Sequence, residues 1–72
     1  MEHKLSDDDL YVLEEIIDSS SLRQLVSALV QLAHEKAEHI RTNWQDRPLA
    51  NDWNRAGNLL ETLEDRLTKL GV

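Results

Sequence analysis

The 72-residue sequence predicts an all-α protein, in which a short N-terminal helix precedes a long antiparallel helical hairpin. Glycine and proline are nearly absent, with two residues and one residue respectively. Strong helix formers dominate the middle of the chain, and apolar residues recur every three to four positions. A single domain of this size, 1–72, has a marginal core, and without cysteine no disulfide can reinforce it. We therefore expect the hairpin to complete a helical bundle as a homodimer.

The first helix is expected over about residues 7–18. Ser6 is a suitable N-cap, because its hydroxyl can accept a hydrogen bond from a free backbone N–H of the first turn. Three aspartates then occupy the first turn, where the helix dipole favours negative charge. At 3.6 residues per turn, one side of this helix is apolar and consists of Leu10, Val12, Leu13, Ile16 and Ile17.

The second helix is expected over about residues 22–44, after a break at three consecutive serines. Ser21 followed by Gln24 forms the pattern of a capping box. The apolar stripe of this helix is broad as far as Ala33 and narrow beyond it. The broad half has apolar residues to spare, which we expect the first helix and a second copy of the chain to cover; they are Leu25, Ala28, Val30 and Leu32.

The third helix is expected over about residues 48–70, with Pro48 in its first turn and Asp46 or Arg47 as its cap. Its apolar residues alternate at spacings of four and three, an a/d heptad pattern formed by Leu49, Trp53, Ala56, Leu60, Leu63, Leu67 and Leu70. Antiparallel packing on the second helix pairs these positions with apolar partners throughout. In that register Ala37 meets Ala56, and Leu29 meets Leu63.

Charge is distributed unevenly along the chain. Residues 1–21 carry one basic and seven acidic side chains, whereas residues 22–72 carry seven of each. The net charge of −6 therefore belongs to the N-terminal third, which repels nucleic acid and anionic membranes alike. No apolar run is long enough to span a membrane. We expect a cytoplasmic protein that does not bind membranes. A nucleic-acid-associated regulator is a third alternative, which salt-dependent binding would have to support.

The segment HEKAEH, residues 34 to 39, comes near to several metal motifs and matches none of them. His34 and His39 are five residues apart, whereas zinc proteases place two histidines four apart on one helix face. His34 and Glu38 are one turn apart and would hold a metal only with ligands from another chain. A surface pair is the simpler interpretation. Met1, Glu2 and His3 form a generic copper-binding terminus. We predict no resident metal or cofactor.

Two pairs of glutamates at a spacing of three, Glu35 with Glu38 and Glu61 with Glu64, are separated by twenty-two residues. This arrangement is similar to the paired acidic motifs of the MazG-like nucleotide pyrophosphohydrolases. The resemblance implies that the four carboxylates hold magnesium against the phosphates of a nucleotide. The second pair ends in Glu64 where that family has aspartate. The hairpin register also turns the first pair, together with His34, away from the predicted core and towards solvent.

Tryptophan and arginine residues cluster around the predicted turn, namely Arg41, Trp44, Arg47, Trp53 and Arg55. These are the residue types most enriched at the energetic centres of protein interfaces. They also close the ends of helical bundles, with arginine stems lying over a tryptophan. If the chain binds a protein partner, this cluster is the candidate site.

The sequence EKAEHIRTNWQD, residues 35 to 46, with its leucine-rich flanks, looks like small helical proteins of unknown function from cyanobacteria and their phages. No activity comes with that resemblance. Since no catalytic motif is intact, we predict a non-enzymatic protein–protein interaction or assembly module. The alternative is a magnesium-dependent pyrophosphohydrolase that uses the four glutamates.

Overall fold

The computed structural model describes residues 4–72 and contains three α-helices: α1 (Asp7–Ser19), α2 (Leu22–His39) and α3 (Arg47–Leu70). A short π-helical segment, Ile40–Trp44, continues α2. The described residues are 87% helical and contain no strand, which confirms the predicted all-α class. None of these helices is both long and apolar enough to cross a membrane. The generic copper-binding pattern of residues 1–3 lies outside the described residues.

Each helix begins at a capping residue that the sequence identified. The Ser6 hydroxyl accepts a hydrogen bond from the Asp9 backbone at 3.1 Å, and the Asp9 carboxylate accepts one from the Ser6 backbone at 3.1 Å. Ser21 caps α2 by accepting from the backbone N–H of Gln24 at 3.0 Å. Asp46, rather than Arg47, caps α3. These bonds satisfy N–H groups that have no partner within the helix.

The end of the predicted second helix is π-helical and not α-helical. Two side chains there donate to carbonyl oxygens four residues earlier, Thr42 to Glu38 at 2.7 Å and Asn43 to His39 at 3.2 Å. The same kind of bond occurs within α3, where Thr62 donates to the Asn58 carbonyl and the α-helix continues, so these bonds accompany the wider turn and do not by themselves explain it. The segment ends at Gln45, whose φ of 54° is left-handed. This conformation reverses the chain into α3.

The interface between α2 and α3 is built from small residues. The two helices run in opposite directions, because the backbone N–H of Arg23, near the start of α2, donates to the carbonyl of Val72 beyond the end of α3, at 3.3 Å. Alanine and glycine at the interface let the two backbones approach closely. The buried residues of these helices are Val26, Ala33 and Ala37 on α2, and Ala50, Gly57 and Leu67 on α3.

The face of α3 that packs against α2 differs from the predicted heptad by about one residue, because positions 50 and 57 replace positions 49 and 56 at its centre. Ala50 and Gly57 are buried against α2, whereas Leu49 and Leu63 each remain 43% exposed. The prediction that Leu49 and Leu63 face α2 is therefore wrong for the single chain. The smaller side chains at positions 50 and 57 permit a closer approach, so α3 is rotated to bring them inward.

Helix α1 is attached to the rest of the chain through α2 alone, within the described residues. None of its residues is buried. Leu13 and Ile17 are half-buried, but Leu10 and Val12 are exposed. A helix of 13 residues is marginal by itself in water, so α1 depends on its packing against α2. That packing is weak and leaves most of the apolar side of α1 exposed to solvent.

Candidate functional site

His34 lies between α2 and α3, contrary to its predicted outward position. Its Nδ1 donates to Asn54 Oδ1 at 2.9 Å, and its Nε2 is 3.4 Å from Glu61 Oε1. The ring also lies on Gly57, where an added β-carbon would stand 2.7 Å from Nε2. Gly57 therefore provides the space for the ring, and His34 belongs to a polar seam with Asn54 and Glu61 that links the helices.

The seam favours the charged form of His34. The hydrogen bond with Asn54 raises the pKa of the imidazole above its ordinary value of 6.5, partial burial of the ring opposes this rise, and the bond and charge attraction with Glu61 add to it. A protonated ring donates from both nitrogens, one to each partner. A neutral ring with hydrogen on Nδ1 would instead turn a lone pair towards the Glu61 carboxylate.

Three of the four glutamates of the resemblance to MazG-like enzymes have separate partners. Glu35 accepts from Gln31 at 2.8 Å, and Glu61 contacts His34. Glu38 pairs with Arg41, whose Nε lies 3.1 Å from its carboxylate. Glu64 is half-buried on α3, beside a depression that it lines with Arg23, Gln24 and Ser27. Among residues 4–72, no group of three metal-ligating side chains comes together.

The predicted pair His34 and Glu38 is also separated. Both nitrogens of the imidazole are directed at α3, towards Asn54 and Glu61, while Glu38 is engaged by Arg41. A metal at this position would have to displace both arrangements. His34, Glu35 and Glu38 of the HEKAEH segment therefore contact other side chains of the chain and do not form one set of metal ligands.

The structure divides the predicted Trp/Arg cluster between different surfaces. Arg41 and Arg47 line one concave surface at the turn, together with Thr42, Gln45 and Asn51. Trp44, on the π segment, is 73% exposed. Trp53 instead lines a shallow apolar groove on α3 with Leu49, Asp52 and Ala56. Arg55 is exposed elsewhere on α3.

Trp53 marks a second side of the α2–α3 pair. The Lys36 ammonium lies 5.7 Å from the centre of the Trp53 ring, a cation–π distance, so these side chains meet across the helices. Lys36 and His34 are about 160° apart around α2 at 3.6 residues per turn. The Lys36–Trp53 contact therefore lies on the side opposite to the polar seam.

The side marked by Trp53 is apolar, and we call it the apolar face. Leu32 lies about 40° from Lys36 around α2, and Leu63 about 80° from Trp53 around α3. Leu32 is 55% exposed. On α2 the face continues into a groove of about 440 Å³ beneath α1, lined by Leu13 and Ile16. The helix-pair residues of the apolar face are Leu25, Ala28, Leu29, Leu32, Leu49, Trp53, Ala56 and Leu63.

The apolar pattern predicted Leu25, Ala28 and Leu32 of this face as surplus apolar residues. It placed Leu29, Leu49 and Leu63 in the intramolecular core, but these three leucines are 40–43% exposed. Ala50 and Gly57 are small residues seven positions apart, and this spacing could have indicated the side of α3 that packs against α2. Small residues at heptad spacing often mark where two helices lie closest.

Comparison of the chain with protein-family models, with curated proteins and with solved structures finds no match. The physical features of the chain itself are therefore the basis for assigning a role.

Proposed function

We propose that this chain is a non-enzymatic assembly module that acts as a homodimer, with the apolar face as its interface. The observation that carries the proposal is an excess of accessible surface. A folded monomer of 8.3 kDa exposes about 4,600 Å², whereas this chain exposes 6122 Å². The radius of gyration, 14.0 Å, likewise exceeds the value of about 11 Å expected for a compact chain of this length.

The excess is large enough for a stable interface. A standard protein–protein interface removes about 800 Å² from each partner, and the excess here is about 1,500 Å². The apolar face supplies the chemistry as well as the area, because its leucines and Trp53 are large and only partly covered. An apolar patch shared by two packed helices is typical of an association site.

A two-fold axis through the apolar face gives the simplest arrangement. Two helical hairpins then pack face to face as a four-helix bundle, and each copy presents the same residues to the other. The polar seam of His34, Asn54 and Glu61 stays on the outside of both copies. Helix α1 borders the groove at Leu13 and Ile16, so the second copy also covers the apolar side that α1 leaves exposed.

The module role follows from this surface and from what the site residues do. His34, Glu38 and Glu61 serve contacts within the chain, whereas the apolar face has no internal role. The absence of cysteine fits a reducing compartment, and we propose the cytoplasm. Trp44, exposed at the turn, is the position at which we propose that a further protein contacts the dimer.

Sedimentation equilibrium tests the dimer directly. At micromolar concentration the expected mass is twice the chain mass, and the expected dissociation constant is micromolar or tighter. A monomer mass throughout the micromolar range would contradict the proposal.

The enzymatic alternative makes a separate prediction. The geometry does not favour it, because Glu35, Glu38 and Glu61 each contact a different residue and no three metal-ligating side chains come together among residues 4–72. We expect no turnover of a nucleoside triphosphate panel with Mg²⁺. Turnover that disappears in Glu38→Gln, with Glu38→Gln still dimeric, would replace the module role by the pyrophosphohydrolase.

A further inference from the structure

We propose that the concave surface at the turn binds the phosphate group of a small molecule. The surface joins the π segment to the start of α3, opens to solvent and has a volume of about 800 Å³. Its lining residues are Arg41, Thr42, Gln45, Arg47 and Asn51. All five side chains carry hydrogen-bond donors, and none carries a negative charge.

This composition stands out against the rest of the chain. The protein has 14 acidic and eight basic residues and a net charge of −6. Two of the basic side chains nevertheless line one depression without an acidic neighbour in its lining. The side-chain amides of Gln45 and Asn51 add neutral donors suited to oxygen atoms of an anion, while the Thr42 hydroxyl already donates to the Glu38 carbonyl.

Arg41 is held in place by a contact outside the concave surface. Its Nε and one terminal nitrogen both donate to a single carboxylate oxygen of Glu38, one turn earlier. A guanidinium has five N–H donors, so this pairing leaves others available for a ligand. Glu38 therefore fixes the direction of Arg41 and offsets its charge, while the free donors of Arg41 remain usable.

Arg47 has no comparable partner. It enters neither of the two ion pairs found in residues 4–72. It is also the first residue of α3, where the helix dipole disfavours a positive charge. A bound anion would compensate Arg47, which makes this otherwise unfavourable placement understandable.

A phosphate fits this donor set better than a carboxylate does. One guanidinium saturates the two oxygens of a carboxylate in a bidentate pair. Two guanidiniums with two amides offer more donors than that, and a phosphate monoester has three terminal oxygens and up to two negative charges. The net charge of the chain repels polyanions such as nucleic acid, so the phosphate belongs to a small molecule.

Nuclear magnetic resonance on the ¹⁵N-labelled full chain tests the proposal. Titration with inorganic phosphate, and separately with methyl phosphate, is expected to shift the Arg41 and Arg47 Nε–H signals and the Gln45 and Asn51 amide signals saturably. Equal binding of both compounds indicates a site for free phosphate, and tighter binding of methyl phosphate indicates an ester. Sodium chloride at matched ionic strength is the control for screening.

Variants at two exposed arginines decide whether the concave surface is responsible. Arg47→Gln is expected to weaken binding about tenfold or more, because a charge-assisted hydrogen bond is lost. Arg55→Gln removes the same charge elsewhere on α3 and is expected to leave binding unchanged. Arg47→Lys keeps the charge without the planar fork and should be intermediate. Circular dichroism verifies that each variant is folded.

Three results would overturn the proposal. They are shifts that chloride reproduces, acetate binding as tight as phosphate, and equal weakening by Arg47→Gln and Arg55→Gln. Since the concave surface does not include the apolar face, dimer formation is measured separately and does not bear on the outcome.

Discussion

The His34 side chain of α2 lies directly against Gly57 of α3. The imidazole ring occupies the space that a side chain at position 57 would fill, with a hypothetical β-carbon 2.7 Å from Nε2 and 2.8 Å from Cε1. The same ring reaches Asn54 and Glu61 one turn to either side of the glycine on α3. The polar seam therefore depends on the absence of a side chain at a single helical position.

Gly57→Ala is expected to destabilise the protein despite the higher helix propensity of alanine. The added methyl group forces the His34 ring away from Asn54 and Glu61, with an expected cost of about 1–2 kcal/mol. In a His34→Ala background the clash is absent, so Gly57→Ala should stabilise by up to about 1 kcal/mol through helix propensity. Urea unfolding at one protein concentration measures both. A similar loss in the two backgrounds would disprove the contact.

The pKa of His34 is expected to lie above 6.5 in the folded protein. Because folding raises this pKa, the seam stabilises the protein fully below about pH 6.5, and that stabilisation disappears as the pH rises through the folded-state pKa. The Asn54 bond is the largest cause of the raised pKa, and the Glu61 contact adds to it. Glu61→Gln removes the charge beside Nε2 and should lower the pKa, while the Asn54 bond should still hold it above its ordinary value.

The ring proton signals of His34, followed from about pH 5 to 9, measure this pKa. Glu35→Gln is the matched control. It removes a carboxylate from α2, next to His34 in the sequence, but this carboxylate bonds Gln31 and not His34. If both variants lower the pKa equally, general charge and not the Glu61 contact governs the titration.

Helix starts were predictable because their determinants are local. Ser6, Ser21 and Asp46 each bond a backbone N–H three residues later, so the pattern is visible within four residues of sequence. The all-α class was predictable for the same reason. The π segment was not predicted, because the apolar spacing of residues 40–44 does not distinguish it from the end of an α-helix.

The candidate sites depend on contacts that sequence spacing does not encode. His34 meets Asn54 and Glu61 across 20 and 27 residues of chain, so its inward position could not be derived from its own helix. The rotation of α3 that buries Ala50 and Gly57 likewise depends on contacts with α2, and the spacing of residues within α3 does not reveal it. An apolar heptad indicates which residues avoid water, but it does not distinguish burial within the chain from burial against another chain. The apolar pattern at Leu63 is as consistent with burial against another chain as with burial within its own chain.

Asp46→Ala is expected to lower stability by about 1 kcal/mol, the typical cost of removing an N-cap. Asp46 Oδ1 accepts from the backbone N–H of Leu49 at 3.1 Å, and this bond starts α3 directly after the left-handed Gln45. Asp52→Ala removes the same charge from an exposed position within α3 and should change stability by less than about 0.5 kcal/mol. Thermal and urea unfolding compare the two variants. Equal effects would mean that charge and not capping is responsible.

Leu63→Glu is expected to convert the dimer into a monomer. Leu63 lies on the apolar face, about 160° around α3 from Glu61 and the polar seam. In the dimer an unpaired carboxylate there would be buried against the second copy, which should weaken association by about a hundredfold or more. Within a single chain, position 63 is 43% exposed. The added charge can therefore reach water, and the helical content should be preserved in the circular dichroism spectrum.

Thr62→Glu provides the control, since it adds the same charge one residue earlier on an exposed part of α3 that points about 100° away. Sedimentation equilibrium of both variants should give a monomer mass for Leu63→Glu and a dimer mass for Thr62→Glu. If both remain dimers, the interface lies elsewhere on the chain. If both become monomers, negative charge on α3 and not burial of Leu63 controls association, because α1 already concentrates acidic residues in each copy.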